Sequence, residues 1–342
     1  MDGNFNFKNN ESKIKEFSKE GYTLLKANRL EEAEGRFKAI LEISEINIYA
    51  LSGLGDIARK RNDYKQALEY YTKCLKAHPD NNYALFGLAD CYRGLNEFHK
   101  AIEIWLICLL HDENNLSIIA SIADAYRKIM DFKKAEEYYK KALALDAEDE
   151  RSIKGLGYLY FDSKMYEEAT EYWEDMLKRS KRFNHDKQIL IIIGNCYRQN
   201  ARFKNKDQFK RAIQYFESAL KIDHVNFSAL FGMADSYRGL CLYAEAKKYY
   251  EKLLDLEPEN QSILTRIGDM CVNLDEFDQA ERYYKRTLEI GDDIYAHFGF
   301  VRIQKKKGDF KEALRLLKEM NKRYRNNQRI QKEKSECREN LA

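Results

Sequence analysis

Residues 83–95 read YALFGLADCYRGL, and residues 228–240 read SALFGMADSYRGL. Ten of the thirteen positions are identical, 145 residues apart. Leu85, Leu88, Ala89 and Tyr92 fall at helical spacing, so each copy reads as one amphipathic helix. Downstream of each copy stands an alanine followed four residues on by an aromatic: Ala101 with Trp105, and Ala246 with Tyr250. That alanine recurs along the chain at Ala33, Ala67, Ala101, Ala135, Ala169, Ala212, Ala246, Ala280 and Ala313. The spacings are 34, 34, 34, 34, 43, 34, 34 and 33. A fixed period of this length is the signature of a stacked repeat.

Each unit reads as two helices joined by a short turn. Asn28, Asp63, Asn96, Asp131 and Asp309 stand in these turns, where a helix would be capped. Counting from Ile14 as position one, position eight holds Gly21, Gly55, Ala89, Ala123, Gly157, Gly194, Ala234 and Gly268. Small residues there let two helices approach closely, and the aromatic of the second helix fills the space beside them. One such pair cannot bury its apolar faces alone, so the units must stack.

The composition agrees. Of 342 residues, 44% are hydrophobic and only two are proline, which favours helices. A net charge of +3 is too small to call for nucleic acid or an anionic membrane. No run is long and apolar enough to span a membrane, and the N-terminus lacks the apolar core of a signal peptide. Seven cysteines form no CxxC pair; Cys74, Cys91 and Cys108 lie seventeen apart, half a unit, so they read as small packing groups in a reducing compartment. The expected location is the cytoplasm.

The 34-residue period, the small residue at position eight and the alanine–aromatic pair resemble the tetratricopeptide repeat. The resemblance covers residues 14–323 as nine units. Pro79 and Pro258 stand where the family has its unit-end proline, whereas unit nine departs with Val301 and Leu317. The resemblance implies an all-α, right-handed superhelical solenoid of about nine helix–turn–helix repeats, with the first helices lining a concave groove. Residues 1–13 are expected to be a flexible lead-in. Residues 324–342 read as a polar C-terminal capping helix or a tail, with Ile330, Cys337 and Leu341 as a weak inner stripe.

Phe86, Gly87, Asp90, Arg93 and Gly94 of the first copy, like Phe231, Gly232, Asp235, Arg238 and Gly239 of the second, are not scaffold positions and are expected on the groove side. Position nine holds Asp56, Asp90, Asp124, Asn195, Asp235 and Asp269; position twelve holds Arg59, Arg93, Arg127, Arg198 and Arg238. Residues three apart share a helix face, so stacking makes a carboxylate ladder beside a guanidinium ladder. Such a ladder can clamp an extended peptide through its amides and carboxylates, or it can pair the Arg of one unit with the Asp of the next. Mid-helix Gly53, Gly87, Gly155, Gly232 and Gly299 each cost about 1 kcal/mol relative to Ala. They call for something close to the backbone, either a ligand or a neighbouring aromatic. Unit five carries Tyr158 and Phe161 in place of the ladder, which makes an aromatic patch.

The 43-residue step places extra residues around 180–188 and in a loop at roughly 200–208, within a basic stretch 178–211. A second basic zone follows Lys305. No HExxH, no Cys–His pairing and no phosphate loop is present, so no catalytic, metal or cofactor site is expected. The clamp by which some family members hold acidic chaperone termini is also missing, since Lys154 is followed by Tyr158 and Ile192 stands at position six of the next unit. No DNA-binding domain is expected before Ile14 and no catalytic one after unit nine. These features point to a non-catalytic scaffold or adaptor that holds a peptide or extended protein segment. The alternative is RNA or another polyanion bound through the basic zones.

Overall fold

A computed structural model describes residues 2–179, 186–203 and 205–341. The described residues form nineteen α-helices and no strand. They are packed as sequential pairs that make about nine repeats and a capping helix. Two compact units divide the chain, Met1–Ser163 and Lys164–Ala342. The first contains α1 (Asp2–Lys26), α2 (Leu30–Ile43), α3 (Ile48–Lys60), α4 (Tyr64–Ala77), α5 (Asn82–Gly94), α6 (Phe98–His111), α7 (Leu116–Lys128), α8 (Phe132–Leu145) and α9 (Glu150–Asp162). The second contains α10 (Tyr166–Arg179), α11 (Lys187–Phe203), α12 (Asp207–Ile222), α13 (Phe227–Gly239), α14 (Tyr243–Leu256), α15 (Gln261–Asn273), α16 (Phe277–Ile290), α17 (Ile294–Lys306), α18 (Phe310–Arg323) and α19 (Gln328–Glu339). Within each unit, first helices of successive hairpins also touch one another, as α3 does α5 and α15 does α17. No described helix is long and apolar enough to cross a membrane.

The starts of most first helices, and of some second helices, are written into the sequence. First helices start on a side-chain cap: Asn81 Oδ1 accepts from the Ala84 amide at 2.9 Å, and Asn47, Asn115, Asn226, Asn260 and Asn327 do the same in their hairpins. Each satisfies an amide that the helix itself leaves open. Second helices start on Asp63, Asp131 and Asp309, which do cap as expected. Asn28 and Asn96 do not. They take φ near +60° as the left-handed residue of the turn, a conformation Asn tolerates and most side chains avoid.

In several hairpins the core is an aromatic ring wedged between helices. Tyr71, fully buried, lies against Gly55 of its own hairpin and Gly87 of the next. A Cβ on Gly87 would stand 2.4 Å from the ring. Phe37, Tyr139, Phe216 and Tyr284 are seated against Gly53, Gly155, Gly232 and Gly299 in the same way. The position-six glycines were expected on the groove side. They are buried instead, and the group that crowds their backbone is the ring of the preceding hairpin. Gly94 and Gly239 likewise receive Tyr64 and Phe209.

The segment expected to be a flexible lead-in continues α1, whose helical backbone begins at Asp2. The expected loop at roughly 200–208 is mostly helix. The long sixth repeat lengthens α11 to 17 residues and α12 to 16, where other first and second helices from α3 onward have 13 and 14. Ala201 and Phe209 are buried there, so the insertion is packed into its unit rather than projecting from it. Residues 180–185 and Lys204, part of the expected insertion, lie outside the described residues. At the C-terminal end α19 buries Ile330 and Cys337 against α18, while Leu341 is exposed.

Candidate functional site

The position-nine carboxylates sit where each first helix meets the next hairpin. In the first unit, Asp56 is buried and accepts from Tyr71 Oη at 2.7 Å, from Tyr83 Oη and from Arg59 Nη2 at 3.1 Å. The other end of the Arg59 fork crosses to the next hairpin, with Nη1 donating to Asp90 Oδ2 at 2.7 Å. Asp90 also accepts from Arg93 Nε at 3.1 Å. Asp124 accepts from Tyr139 Oη and, from the following hairpin, from Arg151 Nε at 2.9 Å. The next hairpin offers Arg127 no carboxylate at position nine, because Tyr158 stands there. Arg127 donates to Asp162 instead and lies 5.7 Å from the centre of the Tyr158 ring. Tyr158 and Phe161 are half-buried.

The second unit repeats this arrangement, with three arginines gathered on one carboxylate. Arg198 donates to Asn195 Oδ1 through Nη2 at 3.1 Å and reaches Asp235 Oδ2 through Nη1 at 2.7 Å. Asp235, 3% exposed, also accepts from Arg238 Nη2 at 2.7 Å, Tyr250 Oη at 3.0 Å and Arg266 Nη1 at 3.2 Å. Burial pushes its carboxyl up, but Arg238, Arg198 and Arg266 together outweigh burial and hold it below the ordinary carboxylate value. Asp269 differs. It accepts from Tyr284 Oη at 2.7 Å and from Arg302, yet burial dominates and its carboxyl is raised. Burial beside Asp235 moves Tyr250 up to about 12. The same cause raises Tyr71, Tyr139 and Tyr284, so all four phenols remain donors at neutral pH.

The sequence-expected residues therefore fall into two groups. Asp56, Asp90 and Asp235 are buried, and Asp124, Asn195 and Asp269 are half-buried; all six are engaged by side chains of their own or adjoining hairpins. Arg59, Arg127 and Arg198 tie hairpins or rings together. Arg93 and Arg238 differ. Their side chains are 47% and 38% exposed, against 33% for Arg59, 16% for Arg127 and 12% for Arg198, and they bond the carboxylate of their own helix. Phe86 and Phe231 are half-buried, and Phe231 is covered by Arg266 at 5.0 Å.

Several residues of this face escaped the sequence reading. Tyr49, Tyr83 and Tyr295 stand at position two of their hairpins and are 54%, 53% and 59% exposed. Tyr49 and Tyr83 are 34 residues apart, which was a visible signal. Arg266 and Arg302 join the ladder from positions six and nine, and Arg151, near the unit-five aromatic pair in sequence, joins it from position two; no common register reveals the three as a set. Part of the basic stretch is matched by acids: Arg179 faces Asp175 at 2.6 Å, Lys187 faces Asp223 at 2.7 Å and Lys210 faces Asp207 at 2.8 Å. Lys181, Arg182 and Lys204, and the side chain of Arg202, lie outside the described residues. In the second zone Lys305 faces Glu333 and Glu336, and Arg315 faces Glu312 and Glu319. Among the described residues no group of three or more His, Cys, Asp or Glu side chains is placed to hold a metal ion.

Three tetratricopeptide repeat family models match the sequence, over residues 52–106, 116–149 and 242–297. No curated protein matches it. Among solved structures, a tetratricopeptide repeat protein from Parabacteroides merdae is 18% identical, with a TM-score of 0.56 over 76% of this chain and 99% of that one. PilF of Pseudomonas aeruginosa is 21% identical, with a TM-score of 0.50 over 67% and 97%. At these identities the likeness concerns the fold.

Proposed function

We propose that this chain, a tetratricopeptide repeat protein, is a non-catalytic scaffold that holds an extended segment of a partner protein along its first helices. The observation that carries this reading is the exposed set on those helices: Tyr49, Tyr83 and Tyr295, with the outward forks of Arg93 and Arg238. Tyrosine and arginine are the side chains that most often anchor protein interfaces, because each brings large contact area and directed donors at small entropic cost. The carboxylates behind the arginines hold them in place before a partner arrives, which lowers the cost of ordering them on binding. A polyanion is disfavoured by the acids interleaved through both basic zones. The seven unbridged thiols suit a cytoplasmic setting.

Site-specific photo-crosslinking in the native cell tests this. A benzophenone side chain is placed at Tyr49, at Tyr295 or, on an exposed second-helix face, at Lys73. Adducts of discrete mass are expected from the first two sites and not from the third. Adducts from the Lys73 site alone, or from none of the three, would overturn the reading.

A further inference from the structure

The ladder is interrupted in the eighth hairpin. Position twelve is arginine in five earlier hairpins, but there it is Val272, a short and buried side chain. Where an arginine would extend, a cleft of about 530 Å³ opens between Arg238 of α13 and Arg302 of α17. Val272 forms part of its floor. Tyr243 and Phe310, the first residues of α14 and α18, line its sides, and the exposed Lys306 stands at its rim. The size is that of an ordinary ligand cleft.

Its cations are already held in place. Arg238 is fixed by Asp235 through Nε at 3.1 Å and Nη2 at 2.7 Å, and Arg302 by Asp269. Asp269, the one carboxylate in the lining, is occupied by Arg302 and Tyr284. A fourth cation, Lys305, is occupied by Glu333 and Glu336 at 2.7 and 2.9 Å. Arg238, Arg302 and Lys306 thus converge on a space with an apolar floor and aromatic sides. A glutamate fits that chemistry: its methylenes lie on Val272 and between the rings, and its carboxylate meets Arg238 and Lys306, since both Nη groups of Arg302 are held by Asp269. A continuous polyanion fits less well. Lys306 lies 3.9 Å from Asp275, and Glu333 and Glu336 stand beside Lys305, so the next phosphate along would meet negative charge.

We propose that the cleft beneath Arg238 and Arg302 receives an acidic side chain from the partner segment, with apolar residues flanking it. This rests on the scaffold reading above and names the chemistry that one of its sites selects. The test uses the full chain and three labelled probes: a short peptide with single glutamates flanked by leucines, its Gln-for-Glu counterpart, and an oligouridine of similar length. Saturable binding of the Glu peptide is expected, roughly tenfold tighter than the Gln peptide. Val272→Arg, which fills the cleft and restores the missing rung, should abolish it. Lys306→Glu, at an exposed position where folding is not in question, should weaken it several-fold.

No saturable binding of the Glu peptide, equal binding of the Glu and Gln peptides, or unchanged Glu-peptide binding by both variants would overturn the proposal. So would an oligouridine that binds more tightly and displaces the peptide, which would make the cleft a phosphate site. Failure here with crosslinks still formed at Tyr49 would sink the acidic cleft alone. Failure of both would sink the scaffold reading with it.

Discussion

Asp235→Ala is expected to lower stability by about 3–5 kcal/mol, because it leaves buried donors without their acceptor. Arg198, Arg238, Arg266 and the Tyr250 hydroxyl all converge on this carboxylate. Asp235→Asn keeps an acceptor and removes only the charge, so it should cost less and change the pH dependence. The carboxyl is depressed below its ordinary 3.8. Its contribution is therefore fully present above that value and is lost as pH falls through the lower value in the folded protein. Parent and Asp235→Asn should differ most near neutrality, and the gap should close below about pH 4. Urea midpoints measured across that range read this directly. A gap that stays constant into acid would mean that Asp235 acts through packing and not through charge.

Two glycine-to-alanine changes should have opposite signs. On Gly35 in α2, an added Cβ meets nothing within 4 Å. Gly35→Ala should stabilise by about 1 kcal/mol, the difference in helix propensity. On Gly155 in α9, the Cβ would lie 2.2 Å from Cε1 of Tyr139, a fully buried ring whose hydroxyl is bonded to Asp124. That ring cannot swing away without giving up its acceptor, so overpacking outweighs propensity. Gly155→Ala should cost about 2 kcal/mol, and Gly155→Val more. Denaturant midpoints of the two alanine variants decide this, and a stabilised Gly155→Ala would show that the ring position is soft.

The spacing of nine alanines made the repeat and its helical pairs legible, because each hairpin solves the same packing problem with the same residues. The glycines were legible as sites of close approach, but not what approached them. The answer lies one hairpin earlier, in Tyr71 or Phe216, and a pattern read within one unit does not show what the neighbour inserts. The same limit applies to Asp90 and Asp235. On an isolated helix their side faces out, and it is the adjoining hairpin and its arginines that bury them. Asn47, Asn81, Asn115, Asn226 and Asn260 stand in plain register one residue before five of the first helices, a signal as regular as the turn inside the hairpin. The extra length of the sixth repeat carries no turn signal that separates loop from added helix. Ala201 and Phe209 show that it was added as helix with an apolar side.

A ladder that is structural where it crosses hairpins and open where it points outward is tested most directly by two melting temperatures. Arg198 is 12% exposed and joins Asn195 of one hairpin to Asp235 of the next. Arg238 is 38% exposed and bonds Asp235 of its own helix, which keeps Arg198, Arg266 and Tyr250 without it. Arg198→Ala should lower the melting temperature by several degrees, and Arg238→Ala by less, because Arg238 is the more solvated of the two and bridges no second hairpin. Equal losses, or a larger loss for Arg238→Ala, would contradict the division and make the outward arginine a structural rung like the others.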